Sequence, residues 1–286
     1  MHLFQCLVND FDRFCDDLDD LLFAEWTQTN PCRKTAPQQR SPRTFADYNR
    51  AIQAAPTDAN LYYNRGTIRS RNDNSLAIAD YTQAITLDPN LAQAYAARAI
   101  SYTQIDRLTD AITDADRAIS LNPDLKWAYH VRGTARSYTG DNQGAIADFT
   151  RCTQLEPSAT AYYNLGVSQL TIDLYTSALA SLSKSIDLHP ELASYYARSI
   201  TLTGLGDTFG ADRDYSEALS RETPGAGSLY SNDEHAYYFR ALARLARGMR
   251  ETAKADFLIA IEICDRHHNG ALSQLATAKI AEIDRI

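Results

Sequence analysis

Tyrosine recurs along this chain at a nearly fixed interval. Tyr62, Tyr95, Tyr129, Tyr162, Tyr195 and Tyr237 lie 33, 34, 33, 33 and 42 residues apart. Four residues after each stands a small residue: Gly66, Ala99, Gly133, Gly166, Ser199 and Ala241. Two further small columns follow, Ala77, Ala111, Ala145, Ala178, Ala211, Ala253 and then Ala84, Ala118, Cys152, Ser185, Ala218, Ala260. Prolines close the units at Pro56, Pro89, Pro123, Pro157, Pro190 and Pro224. A period of this length fixes the architecture before any local reading does. Each unit is too small to bury its own apolar face and must stack on its neighbours.

Each unit reads as two helices. Tyr162, Leu165, Gly166 and Leu170 fall at helical spacing, and a short turn such as Thr139-Gly140-Asp141-Asn142 follows the first helix of a unit. The second helix then places Ala145, Ile146, Phe149, Cys152 and Leu155 on one face before Pro157 ends it. Small side chains are expected where the two helices cross, with the tyrosines between neighbouring units.

The segments AYYNLGVSQLTIDLYTSALASLSKSIDLHP, from Ala161, and AYAARAISYTQIDRLTDAITDADRAISLNP, from Ala94, resemble tetratricopeptide repeats. The resemblance implies an all-α, right-handed α-solenoid. It divides the chain into an amphipathic acidic helix at 1–26, a linker at 27–43 and a half repeat at 44–58. Six repeats follow at 59–267, with a capping helix at 268–286. The fit departs from the family at the eleventh repeat position, where Tyr102 alone keeps the aromatic residue. Arg69, Arg136, Gln169, Leu202 and Arg244 replace it elsewhere. Gly225–Asp233 is an insertion in the fifth unit.

Aligning the units exposes a paired pattern. Arg65, Arg98, Arg132, Arg198 and Arg240 form one column, and Asp80, Asp114, Asp148, Asp214 and Asp256 another. The fourth unit breaks both together, with Leu165 and Ser181. Columns that change in concert predict structural ion pairs, within a repeat or between repeats. Asp47 in the half repeat has no evident partner. A ladder of arginines gripping an acidic ligand is the weaker reading, because a paired guanidinium has its fork already occupied.

In the family the first helices line a concave groove. Carried onto this chain, the groove positions are Tyr63 and Thr67; Trp127, His130 and Tyr138; Tyr163, Val167 and Leu170; Tyr196 and Ile200; and His235, Tyr238, Leu242 and Leu245. Apart from Arg71 this lining is uncharged. Asn64 and Asn164 suit a carboxylate clamp, but these helices lack the lysines such a clamp requires. The lining suits an apolar or aromatic peptide, or an amphipathic helix, from another protein. Trp127 is the strongest contact candidate, because its repeat position normally faces outward.

Residues 1–43 do not fit the repeat. Phe4, Leu7, Val8, Phe11, Phe14, Cys15, Leu18, Leu21 and Leu22 share one helical face, opposite six aspartates. Three fates are open for that face: capping the half repeat, lying in the chain's own groove, or docking on another protein or a second copy. The last would make residues 1–26 a self-association element. Residues 27–43 contain four basic residues and no acid.

Whole-chain charge excludes other classes. The 28 basic and 36 acidic residues give −8, against a nucleic-acid partner. No apolar run approaches the ~18 residues of a membrane span. Five cysteines at irregular spacing suit reduced thiols and a cytoplasmic location. No phosphate loop or nucleophile elbow is present, and no cofactor is called for. Cys264, His267 and His268 form the sole metal-like cluster, without an evident fourth ligand. That cluster is all that supports a metal-dependent enzyme. The favoured expectation is a non-enzymatic scaffold, and similar bacterial repeat proteins suggest an assembly or maturation factor.

Overall fold

The computed structural model describes residues 44–221, 234–267 and 270–285. The helix and linker expected at 1–26 and 27–43, the insertion at 225–233, and His268 lie outside the described residues. Among the described residues every regular element is an α-helix, and the fold is a helical repeat solenoid. The chain divides into two compact units at Leu125–Lys126, and each is described by itself.

The unit at 44–125 opens with α1 (Phe45–Ala54) and continues with α2 (Ala59–Arg69), α3 (Asn74–Leu87), α4 (Ala92–Gln104) and α5 (Leu108–Leu121). Each helix packs on the next in turn through α1, α2, α3, α4 and α5. Its core holds Tyr63, Ala77, Tyr81, Ala84, Ala94 and Ala97.

The unit at 126–285 holds α6 (Lys126–Thr139), α7 (Asn142–Leu155), α8 (Ala159–Thr171), α9 (Tyr175–Leu188), α10 (Leu192–Gly204) and α11 (Thr208–Arg221). It ends with α12 (Glu234–Ala246), α13 (Arg250–His267) and α14 (Gly270–Ile283). Successive helices again pack in turn from α6 to α11, whereas α12 packs on α10 as well as on the following α13. Arg247 closes that joint. Its Nη2 donates to Asp212 Oδ1 at 2.9 Å and to the Ala211 carbonyl at 3.0 Å, and its guanidinium lies 4.3 Å from the Tyr215 ring centre. The last helix buries Leu272, Leu275, Ala276 and Ile283.

Local chemistry sets the helix ends. Asp73 accepts from the Leu76 amide and Asp141 from the Gly144 amide, both at 2.9 Å; Ser158 accepts from the Ala161 amide at 3.2 Å. These side chains satisfy donors that a helix start leaves unpaired. At the other end, Asp88, Asn122, Glu156 and His189 each precede a proline and adopt extended backbone, which a following proline ring favours. Asp47 closes the Thr44 capping box, so the half repeat uses it to start its own helix.

The first small column is explained by contact. A Cβ on Gly166 would lie 2.7 Å from Leu182 Cγ and 3.2 Å from the Leu182 backbone nitrogen. On Gly66 it would meet the Tyr81 ring at 2.7 Å. The two helices of a unit approach closely because one of them lacks a side chain there.

Candidate peptide-binding site

The first helix of a unit is held to the second by the arginine and aspartate columns. Arg65 Nε and Nη2 donate to the two oxygens of Asp80 at 2.9 and 2.6 Å. Arg98 meets Asp114 at 2.7 and 2.8 Å, and Arg198 meets Asp214 at 2.6 and 2.9 Å. Arg132 meets Asp148, and Arg240 meets Asp256, through the same fork. All five pairs lie within one repeat, and all five aspartates are buried. Such a two-pronged contact fixes orientation as well as distance.

The same arginines also reach backwards. Arg65 Nη1 donates to Asn49, Arg98 Nη1 to Thr82, and Arg198 Nη1 to Ser183, each on the preceding second helix. Each guanidinium further lies over the periodic tyrosine three residues earlier, at 4.8 to 5.8 Å, as Arg240 does over Tyr237 and Arg98 over Tyr95.

A second set of arginines completes the pattern. Arg69, Arg136 and Arg244 donate Nη1 to Asp80, Asp148 and Asp256 at 2.9, 2.8 and 2.6 Å. These are residues that the family pattern marks as missing aromatics. In the fourth unit the same positions are neutral: Ser181 Oγ donates to Gln169 Oε1 at 2.8 Å. In the third unit Arg136 also reaches Asp141, at 3.6 Å.

These staples orient the residues expected to line the groove. Trp127, His130, Tyr138, Ile200 and Leu242 are half-buried. The expectation of an open lining is corrected for Tyr63, Tyr163, Val167, Leu170, Tyr196, His235 and Tyr238, which are buried. Tyr163 lies edge-on to Phe239, two units further along, with ring centres 6.3 Å apart. Tyr196 packs against Tyr215 and Tyr238 against Phe257, at 5.8 and 5.5 Å. Aromatic area of this kind serves the core as readily as a partner.

Of the half-buried residues, His130 packs against Trp127. Its indole meets the His130 ring edge-on at 6.2 Å, and the Lys126 ammonium sits 4.1 Å above it. His130 in turn packs edge-on against Phe149 at 5.8 Å. Asn164 Nδ2, on α8, lies 3.0 Å from His130 Nε2. An amide nitrogen donates, so Nε2 is the acceptor and the imidazole is neutral. Burial, with Lys126 nearby, pushes the His130 pKa down to about 4. One turn on from Asn164, Ser168 is also buried. Asn164 Oδ1 and Ser168 Oγ have no hydrogen-bond partner among the described residues. The site is thus aromatic around a neutral imidazole, its charge confined to Lys126, which pairs with Glu156 at 2.7 Å, and two buried oxygens on α8 have no hydrogen-bond partner among the described residues. The sequence offered no signal for the contact between His130 and Asn164, which are 34 residues apart.

The cysteine chemistry points elsewhere. Burial pushes the Cys152 thiol up to about 12 and raises that of Cys264 as well, the wrong direction for a nucleophile. Among the described residues no group of three or more His, Cys, Asp or Glu could hold a metal ion. No helix among them is long and apolar enough to cross a membrane.

The Tetratricopeptide repeat family model matches residues 69–125 and 130–193. The matched helix pairs are tetratricopeptide repeats. Solved structures agree on the fold. A tetratricopeptide repeat protein from Parabacteroides merdae is 20% identical with a TM-score of 0.61, over 82% of this chain and 91% of that one. YrrB, described as a TPR protein with an unusual peptide-binding site, is 19% identical with a TM-score of 0.56, over 63% of this chain and 94% of its own. MamA is 24% identical with a TM-score of 0.54, over 58% of this chain and 93% of its own. A comparison with curated proteins returns no match. Tetratricopeptide repeat proteins generally act as protein-interaction scaffolds, and their fold is typically non-enzymatic.

Proposed function

We infer that this tetratricopeptide repeat chain is a non-enzymatic adaptor that holds an uncharged, largely apolar segment of another protein against its first helices. The observation that carries this reading is the cluster of Trp127, His130 and Asn164. A half-buried indole beside a neutral imidazole offers apolar area with few rotors to freeze. Ile200 and Leu242 extend the apolar surface on α10 and α12. An extended apolar peptide or the apolar face of a helix matches these features. The peptide-binding site of YrrB is a precedent on the same fold. A role in assembling or maturing a larger complex is consistent with such a site, as is a reducing, cytoplasmic setting for five thiols.

The test is a pull-down from the native cytosol with three forms of the full chain. Wild type and Leu258→Ala, which alters an exposed residue of the second helix α13, are expected to retain the same partner. Trp127→Ala is expected to lose most of it. Equal recovery by all three forms overturns the reading.

A further inference from the structure

We propose that the turn edge of the fourth, fifth and sixth units, from Leu174 to Met249, pairs with the same edge of a second copy of this chain. The pairing lies away from Trp127 and does not depend on the partner-binding reading.

Three consecutive turns in the unit at 126–285 join α8 to α9, α10 to α11 and α12 to α13. In or beside them stand Leu174, Leu205, Phe209 and Met249, which are 46%, 43%, 81% and 43% exposed. Phe209 is the most exposed large apolar side chain among the described residues. Contacts join these turns into one edge. Tyr175, next to Leu174, lies so close against Gly204 that a Cβ there has no room, and Leu205 follows Gly204. Two residues before Met249, Arg247 donates to the Ala211 carbonyl and to Asp212. That contact brings the third turn to the start of α11, where Phe209 lies.

The repeat does not require apolar residues at these places. In other units the position of Leu174 and Met249 is held by Asp73, Arg107, Asp141 and Asp207. The position of Phe209 is held by Ser75, Thr109, Gln143, Thr176 and Glu251. Asp73 and Asp141 cap the helices they precede, whereas Leu174 leaves α9 without a side-chain cap. A large exposed side chain there forgoes the stability of a cap and fills no core. A run of exposed apolar side chains on one edge marks an interaction surface.

Charge selects the occupant. Residues 172–176, 205–213 and 247–251 carry the acids Asp173, Asp207, Asp212 and Glu251 and the bases Arg213, Arg247 and Arg250. So near a balance gives no pull toward anionic lipid or a strongly charged partner. Arg250 and Glu251 are exposed neighbours, and neither forms an ion pair among the described residues. Adjacent opposite charges complement themselves across a two-fold axis: Arg250 of each copy meets Glu251 of the other. The same axis lays apolar edge on apolar edge.

Sedimentation equilibrium of the full chain is expected to show monomer and dimer. Phe209→Thr with Met249→Asp installs residues that other units carry at these places, so the fold is kept. It is expected to weaken the dimer at least about tenfold, as loss of a central apolar anchor does. Arg250→Glu is expected to weaken it as well, and Arg250→Glu with Glu251→Arg to restore it. A full chain that stays monomeric up to about 100 μM overturns the proposal, because specific interfaces of ordinary size hold at micromolar concentration or below. So do dimers that persist in the Phe209→Thr, Met249→Asp variant, since the contact then lies elsewhere, residues 1–26 included. A double charge swap that pairs no better than Arg250→Glu overturns it too. A monomeric chain that floats with phosphatidylcholine vesicles, and ceases to on Phe209→Thr, would give the edge to lipid instead.

Discussion

The guanidinium of Arg98 forks onto Asp114 at 2.7 and 2.8 Å, and among the described residues no second arginine reaches that carboxylate. Asp148, by contrast, accepts from both Arg132 and Arg136. Removing one partner of a buried pair leaves a charge without compensation and costs about 3 to 5 kcal/mol. Arg98→Leu is therefore expected to lower stability by roughly that amount, and Arg132→Leu by clearly less, because Arg136 stays on Asp148. Urea unfolding followed by circular dichroism compares them. Equal losses would show that the second arginine contributes nothing.

The fourth unit supplies its own control. Leu165, Gln169 and Ser181 occupy the places of an arginine, a second arginine and an aspartate. Copying that set into the third unit, as Arg132→Leu, Arg136→Gln and Asp148→Ser together, is expected to leave stability within about 1 kcal/mol of wild type. A triple variant as damaged as Asp148→Ser alone would refute the equivalence of the two solutions.

His130 makes stability depend on pH. Its folded pKa of about 4 lies below the unfolded value near 6.5, so between those values the unfolded chain binds the extra proton. The contribution is present above pH 6.5 and is lost as pH falls toward 4, up to about 3 kcal/mol in all. His130→Gln keeps an acceptor for Asn164 and removes the titration. The gap between the unfolding midpoints of wild type and this variant should therefore shift between pH 7.5 and pH 5. A constant gap would place the proton elsewhere.

Asp106 and Asp173 have φ of 61° and 59°, in turns where Gly140, Gly206 and Gly248 adopt the same left-handed backbone. A side chain is strained there and glycine is not. Asp106→Gly is expected to stabilise by about 0.5 to 1 kcal/mol, read as a higher melting temperature. Asp173→Gly should gain less, because Asp173 also accepts from the Tyr175 hydroxyl at 2.6 Å.

Gly166 lies in the helix-crossing column. Alanine there would gain about 1 kcal/mol of helix propensity, yet its Cβ would press on Leu182 Cγ and on backbone. Overpacking of that kind costs about 1 to 3 kcal/mol, so Gly166→Ala is expected to be destabilising on balance. A gain in the urea midpoint would refute the close approach.

The helix pairs were legible because small residues, turn glycines and prolines repeat in register, and each has a local physical reason to do so. The arginine and aspartate columns were legible because they vary together in one chain. The role of Arg69, Arg136 and Arg244 was not legible, since comparison with a family pattern marks what is lost and not what a new residue can reach. Their signal was present: each occurs in a unit that keeps its aspartate, and Gln169 accompanies Ser181. The buried groove residues were misread for a related reason. Positions that face outward in the family were taken to face outward here, although doubled tyrosines such as Tyr162–Tyr163 and Tyr195–Tyr196 make those helices apolar on two sides, the mark of a helix enclosed all round. The edge-on contact of Tyr163 with Phe239 depends on how two helices separated by a whole repeat are inclined, and no spacing encodes that.

Arg247 directly follows α12, the helix that the chain reaches from α11 across residues 222–233. Elsewhere a turn of a few residues dictates how one pair is aligned on the next, and Arg65, Arg98 and Arg198 cross those joints only to neutral side chains. Between α12 and α11 the crossing bond is instead ionic, the exposed contact from Arg247 to Asp212. Alignment of the last pair is thereby entrusted to charge, and rising ionic strength would slacken this coupling while leaving its neutral counterparts taut.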